Sequence, residues 1–394
     1  MSIASLADRP RTSPVAVHDR VALILVLVAA AGSLGAFLSI APNRLADGQP
    51  LTLWQLGLPQ TAMIFAFLAV LLLAAFIRDR TWRSGALFTA GAGLLMSILL
   101  IAGAAAAARV DPQEPARRIP LGSAFWILFS AGVLACFQGL QRAPPTRKRA
   151  LLLGFVAAIL AIIVSGELNS LSLAREFHAQ RATFAIELLR HLSLVAAAVS
   201  LASFCAVPLV LAAVYRPGAR AVIFTTLNVL QTIPSIALFG LLIAPLSFFA
   251  AHVPLAREVG IGGIGAAPAL IALVLYGLLP LVRSADAGLS NVPADVQDSA
   301  RGMGMDPREM FWKVDLPLAL PALVSGLRVV TVQSIGLAIV AALIGAGGLG
   351  TFVFQGIGEY ALDLVLVGAL PTILLALMAD ALFQAVLAHL RSRP

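Results

Sequence analysis

Long apolar runs separated by short, polar and mostly basic segments make up nearly the whole chain. Many of these runs approach or exceed the ~18–20 residues that a helix needs to cross a bilayer. They predict ten membrane-spanning helices, at about 21–41, 58–77, 86–108, 121–140, 150–166, 192–214, 222–249, 266–282, 321–343 and 364–387. Helices are required because a lone strand leaves its backbone unsatisfied in lipid. The seventh run is long and contains Pro234, which predicts a bend or break there.

One polar segment stands out between the eighth and ninth runs. Residues 298–317 read DSARGMGMDPREMFWKVDLP. Asp295 to Met303 can form one helix, with Pro293 near its start. Gly302 and Gly304 break it. Asp306 is placed to cap a second helix, with Pro307 at its first position. In that helix, Pro307 to Asp315, the residues Met310, Phe311 and Val314 fall on one side, away from Arg308, Glu309 and Lys313. Such an apolar face on a short polar-flanked helix is suited to dock into a groove. The alternative is an amphipathic helix lying on lipid headgroups. Leu316-Pro317 then launches the next span.

Composition agrees with a membrane protein. Hydrophobic residues make up 60% and charged residues 12%, against about 25% charged in a soluble domain. Mean hydropathy is +0.96. The formal charge of +8 does not indicate nucleic acid, because the basic residues lie in small groups rather than on one face. Cys136 and Cys205 sit inside apolar runs, so neither a disulfide nor a thiolate metal site is expected. Residues 1–20 are polar, and the run from Val21 to Ala41 exceeds a signal-peptide core, so it is expected to stay as a span.

The Lys and Arg distribution orients the spans. With the N-terminus inside, the inner segments carry Arg9, Arg11, Arg20, Arg78, Arg80, Arg83, Arg142, Arg147, Lys148, Arg149, Arg216, Arg220, Arg283, Arg301, Arg308, Lys313, Arg391 and Arg393. The outer segments carry Arg44, Arg109, Arg117, Arg118, Arg175, Arg181, Arg190 and Arg257. The bias puts both termini and the polar loop in the cytoplasm. Arg190 and His191, at the outer start of the sixth span, read as headgroup anchors. Arg328 can reach back to the inner surface, and Asp380 can do the same or pair with it.

No catalytic constellation is present. The five His are scattered, and H-E-x-x-H, C-x-x-C, G-x-S-x-G and G-x-x-x-x-G-K-[ST] are all missing. Gly345-Ala-Gly347-Gly-Leu-Gly350 fits G-x-G-x-x-G, but it follows a span rather than a strand of a soluble βαβ unit. Close backbone packing or a tight re-entry at the outer mouth is the expectation for these glycines.

The polar loop resembles the EAA loop of ABC importer permeases. Asp298, Ser299 and Ala300 stand for E-A-A, Gly304 for the glycine, Val314 for isoleucine, and Leu316-Pro317 closes the motif. Further segments are similar to permeases that import glycine betaine, choline, carnitine or proline: Asn228–Ser235, Pro268–Tyr276, Leu279–Arg283, Ala300–Met305 and Ala342–Gly350. The likeness covers roughly residues 188–390, about half the chain. It implies an all-α membrane protein whose C-terminal half, residues 191–394, is a type I importer permease core with its loop at 295–317. Residues 1–170 would be a five-span N-terminal extension and 171–190 an external connector.

The resemblance also implies partners. An ABC ATPase would carry ATP and Mg and dock on Asp298–Pro317, with Pro307, Met310, Phe311 and Val314 at the contact. An external substrate-binding protein would deliver cargo, and a second permease subunit, the same chain or a shorter relative, would complete the path. The expected setting is the inner membrane of a bacterium, with lipid and no nucleic acid as partner. No cofactor is expected in the chain itself, and it is expected not to be an enzyme.

Polar residues inside spans are candidates for the path. They are Asn228, Gln231, Thr232 and Ser235 around Pro234, Tyr276 in the eighth span, and Gln333 and Ser334 in the ninth. Tyr276 could offer an aromatic face to a quaternary ammonium. The alternative for each is interhelical hydrogen bonding. A methionine or other amino-acid importer shares the five-span core and loop. A secondary transporter would need paired ionisable groups at mid-membrane, which the sequence does not suggest. A scaffold or sensor role is open only to the first five spans.

Overall fold

The computed structural model describes residues 17–43, 46–111, 113–114, 116–258 and 260–391. Arg9, Arg11, Arg44 and Arg393 of the charge pattern lie outside them. The chain divides into two compact units, Met1–Glu176 and Phe177–Pro394.

The first unit contains α1 Arg20–Gly32, β1 Ala36–Ile40, β2 Gln49–Thr52, α2 Leu58–Ala74, α3 Arg80–Ala107, α4 Ser123–Arg142 and α5 Pro145–Val164. The short α6 Ser172–Ala179 contains the division between units. Phe37, Leu38, Leu53, Ile64, Leu94, Ile98, Phe125 and Leu128 form its core. The α3 and α4 backbones come very close. A Cβ on Gly91 would lie 2.6 Å from the Gly132 carbonyl oxygen, and the Ser84 hydroxyl donates to the Gly139 carbonyl at 2.8 Å. Small residues permit this approach where lipid supplies no hydrophobic drive.

The predicted first span, 21–41, needs correction. Its helix stops at Gly32 after 13 residues, about 20 Å at 1.5 Å per residue and short of the ~30 Å hydrocarbon core. Residues 36–40 are instead a strand paired antiparallel with β2, from Ala36 opposite Thr52 to Ile40 opposite Gln49. The other strand edge bridges Leu38 to Leu121 and Ala41 to Arg118. An apolar strand is tolerable here because it is not alone: both edges have partners.

The second unit contains α7 Arg181–Tyr215, α8 Pro217–Thr232, α9 Ser235–His252, α10 Pro254–Glu258, α11 Ala266–Ser290, α12 Ala294–Gly302, α13 Pro307–Met310, α14 Leu316–Ala341, α15 Gly350–Gly358 and α16 Leu362–Arg391. α11 packs between α7 and α14. Leu194, Phe239, Ala272, Leu273, Tyr276, Ile335 and Ala338 form one core cluster, and Ala206, Val210, Leu227, Leu279 and Val282 another. The seventh apolar run breaks where proline predicts. Ile233 and Pro234 are extended, with ψ of 126° and 138°, between α8 and α9.

Among the described residues seven helical segments are long and apolar enough to cross a membrane: Arg80–Ala107, Ser123–Arg142, Arg181–Tyr215, Ser235–His252, Ala266–Ser290, Pro307–Ile344 and Leu362–Arg391. The shorter α2 and the basic-headed α5 fall on two of the remaining predicted runs, and α1 takes up only the first part of the third. Among the described residues the chain is an all-α membrane protein but for the two-stranded β1–β2 ribbon.

Candidate functional site: the 294–317 loop and the helices it joins

The loop folds as its sequence dictates. Pro293 is the N-cap of α12. Two bonds close its far end: the Gly304 N–H donates to the Arg301 carbonyl at 2.9 Å, and the Met305 N–H to the Ala300 carbonyl at 3.2 Å. This is a Schellman closure, and it needs a residue in the left-handed region. Gly304 supplies it with φ +80°. The Asp306 carboxylate then accepts the Glu309 N–H at 2.7 Å and caps α13.

From Pro307 the chain is one continuous helical segment to Ile344, not a docking helix followed by a separate span. Phe311–Asp315 is a π-turn inside it. Pro317 has no N–H to give its usual carbonyl four residues back, and the wider turn lies directly before it.

Asp298 is exposed and pairs with Arg301 at 2.8 Å, while the Ser299 hydroxyl donates to the Asp295 carbonyl at 2.7 Å. Ala300 is buried. Gln297 donates to the Asp315 carboxylate at 3.0 Å and ties α12 to the π-turn. The expected apolar face is turned partly inward, since Met310, Phe311 and Val314 are all half-buried. The apolar side chains most open to a partner are Met303 at 70% and Trp312 at 60% exposure. Phe311 and Trp312 stand edge to face, 5.4 Å between ring centroids.

At the α8–α9 break, Gln231 donates to the Tyr276 carbonyl at 2.7 Å. The Tyr276 hydroxyl donates to the Ile233 carbonyl. Tyr276 is only 6% exposed. Its ring is therefore not available to a ligand, contrary to the sequence expectation, and its hydroxyl satisfies a carbonyl freed by the break. Asn228 is exposed and accepts from Arg283 at 2.9 Å. The Thr232 hydroxyl donates to the Val229 carbonyl at 2.7 Å. Ser235 and Gln333 are half-buried and Ser334 is buried.

Among the described residues two ion pairs join helices of this unit, one that the sequence did not suggest, Arg220–Asp286, and one that it offered as an alternative, Arg328–Asp380. Arg220 of α8 grips Asp286, near the loop end of α11, through two bonds of 3.2 and 2.7 Å. Arg328 lies well inside α14 and pairs with Asp380 of α16 at 2.6 Å, which Gln384 also contacts. The partners lie 66 and 52 positions apart; the Arg328–Asp380 pair is the one of the two that the sequence offered. A guanidinium cannot shed its proton, so each pair joins helices rather than relaying protons.

At the opposite end of α7, Glu187 accepts the Gly348 N–H at 2.5 Å and pairs with Arg190 at 2.8 Å. Gly347 and Gly348 have φ of +76° and +88°. The glycine run is a tight turn clasped by a buried carboxylate. His191 is fully buried. Neither Arg190 nor His191 is a plain headgroup anchor.

Among the described residues no cluster of His, Cys, Asp and Glu could hold a metal.

Comparison with known proteins matches both parts of the chain. Residues 198–392 match the family model "Binding-protein-dependent transport system inner membrane component". Residues 19–174 match "ABC transporter permease YehY, N-terminal domain". The osmoprotectant import permease protein OsmW of Salmonella typhimurium is 40% identical over 195 residues, which is 48% of this chain and 84% of that protein. The choline transport system permease protein OpuBB of Bacillus subtilis is 35% identical, over 48% of this chain and 80% of its own length. The carnitine transport permease protein OpuCB of Listeria monocytogenes is 35% identical over the same shares. A solved structure of the MetNI methionine ABC transporter aligns at 23% identity with a TM-score of 0.45, over 54% of this chain and 98% of the other.

Proposed function

Since the chain belongs to the family of binding-protein-dependent transport system inner membrane components, we propose that it is the permease of an ATP-driven importer of osmoprotectants such as glycine betaine. The observation that carries the substrate class is the set of relatives, whose names specify osmoprotectants, choline and carnitine at 35–40% identity. ATP and Mg belong to a separate ATPase that docks on the 294–317 loop through Met303, Trp312 and the flanks of Phe311. An external binding protein supplies the cargo, and a second permease subunit completes the path. The setting is a bacterial inner membrane with the loop and both termini in the cytoplasm.

Closure of the ATPase pair would push on the loop. The Gln297–Asp315 bond and the continuous helix from Pro307 carry that push into α14 without a hinge. The helix break at Ile233-Pro234 faces α11, where freed backbone lines a polar region inside the span. Gln333 and Ser235 are the path residues we retain, with Asn228, Gln231, Thr232 and Ser334 beside them. Tyr276 holds the break in shape.

The test is uptake by proteoliposomes containing this chain with its ATPase and binding protein. Labelled glycine betaine accumulates with ATP, and excess unlabelled choline or carnitine reduces it. Methionine uptake in its place would keep the machine and overturn the substrate class. A methionine permease is the second reading, because it would use the same core and loop.

A further inference from the structure

The loop ends of α7, α11 and α14 leave a groove of about 510 Å³ between them. Val207 and Val210 of α7, Ala285 of α11, and Leu320 and Val324 of α14 line it, with Trp312 at its loop end. Apart from the indole of Trp312 at its loop end, its one lining side chain with a polar atom is Ser203, whose hydroxyl already donates to the Val199 carbonyl at 2.7 Å. A polar ligand would lose its water and gain nothing there. The occupant must be hydrocarbon. All three helices belong to membrane-crossing segments, so the hydrocarbon at hand is a lipid acyl chain.

The charge at the mouth selects among lipids. Arg308 stands about one turn before Trp312 on the same helix. Arg216 follows Leu211 and Tyr215 at the end of α7. Both arginines are exposed, and among the described residues neither side chain makes a hydrogen bond or an ion pair. Other cations of this region are engaged: Arg220 by Asp286, Arg283 by Asn228, Lys313 by Glu309. Two unpaired guanidiniums beside a hydrocarbon groove complement a lipid phosphate above its own acyl chain.

We propose that this groove holds one acyl chain of an anionic phospholipid, with its phosphate between Arg216 and Arg308. The lipid then packs under Phe311 and Trp312, the same residues that belong to the docking loop.

The complete complex of permease, ATPase and binding protein, in nanodiscs, allows a direct test. Tryptophan quenching is titrated with dibrominated phosphatidylglycerol or dibrominated phosphatidylcholine. The chain has four tryptophans, so the difference from Trp312→Phe isolates the one at the groove. Two cations near the surface imply a preference of roughly thirtyfold in mole fraction for the anionic lipid. The double substitution Arg216→Gln/Arg308→Gln, at exposed positions that leave the core intact, removes that preference while leaving unselective quenching. Equal quenching by the two lipids in the unsubstituted chain overturns the proposal. So does no quenching, which means that protein, such as a second copy, covers the groove. A preference that survives the double substitution also overturns it.

Discussion

Gly304 carries a constraint of conformation rather than space. Its φ is +80°, and a Cβ there would meet nothing within 4 Å. A side chain at this position is therefore penalised only through the backbone, by about 1–2 kcal/mol. Gly304→Val is expected to unravel the Schellman closure and lower substrate-stimulated ATP hydrolysis several-fold. Gly304→Asn, which tolerates the left-handed region, should stay near the unsubstituted rate. Equal loss in both would mean that the glycine matters by direct contact with a partner. Tyr276 gives a second residue-level test. Tyr276→Phe keeps the ring but orphans the Ile233 carbonyl, at a cost of about 1–3 kcal/mol. Thermal unfolding should occur at lower temperature while the KM for uptake is unchanged. A raised KM would put the side chain back in the path.

Asp19 makes a pH prediction for the first unit. Burial pushes its carboxyl up, but the Arg142 guanidinium, the Ala22 N–H and Gln138 outweigh this and hold it below the ordinary carboxylate value. A depressed folded-state pKa contributes stability above the unfolded value of about 3.9, lost as pH falls through the folded value. Asp19→Asn should therefore destabilise the chain at neutral pH and flatten its acid sensitivity, as followed by thermal unfolding between pH 3 and 7.

At the scale of elements, local chemistry was legible and most pairings across distance were not. Pro234 marks the helix break because proline lacks an N–H and constrains its predecessor. Asp306-Pro307 and Gly304 mark the start and stop of the loop helices by capping rules. The β1–β2 ribbon was hidden because Ala36–Ala41 is apolar enough to continue a span. Only its pairing with residues 49–52 and 118–121 makes a strand possible. Phe311 and Val314, both half-buried, lie within the π-turn, whose shift of phase a 3.6-residue period does not foresee. Arg220–Asp286 and Glu187–Gly348 were hidden because each joins residues from different helices or loops, whereas Arg328–Asp380 was legible as two opposite charges near the inner ends of two spans. The Gln297–Asp315 bond makes α12 and the π-turn one element. Gln297→Ala should uncouple hydrolysis from uptake more than it lowers either docking or thermal stability, measured by co-purification and the ratio of ATP hydrolysed to substrate moved.

At the scale of the molecule, each unit has a core of its own. The relatives match over 80–84% of their own length while covering only 48% of this chain. A chain lacking residues 1–165 is therefore expected to fold and still co-purify with the ATPase. Failure to co-purify would make the extension part of the permease body.

The most direct test of the central claim, that an external ATPase drives transport through the 294–317 loop, measures ATP hydrolysis and glycine betaine uptake together in proteoliposomes. The unsubstituted complex should couple the two, and Gly304→Val should lose uptake while the ATPase retains its unstimulated rate. Uptake that proceeds without ATP, or that is untouched by Gly304→Val, would contradict it.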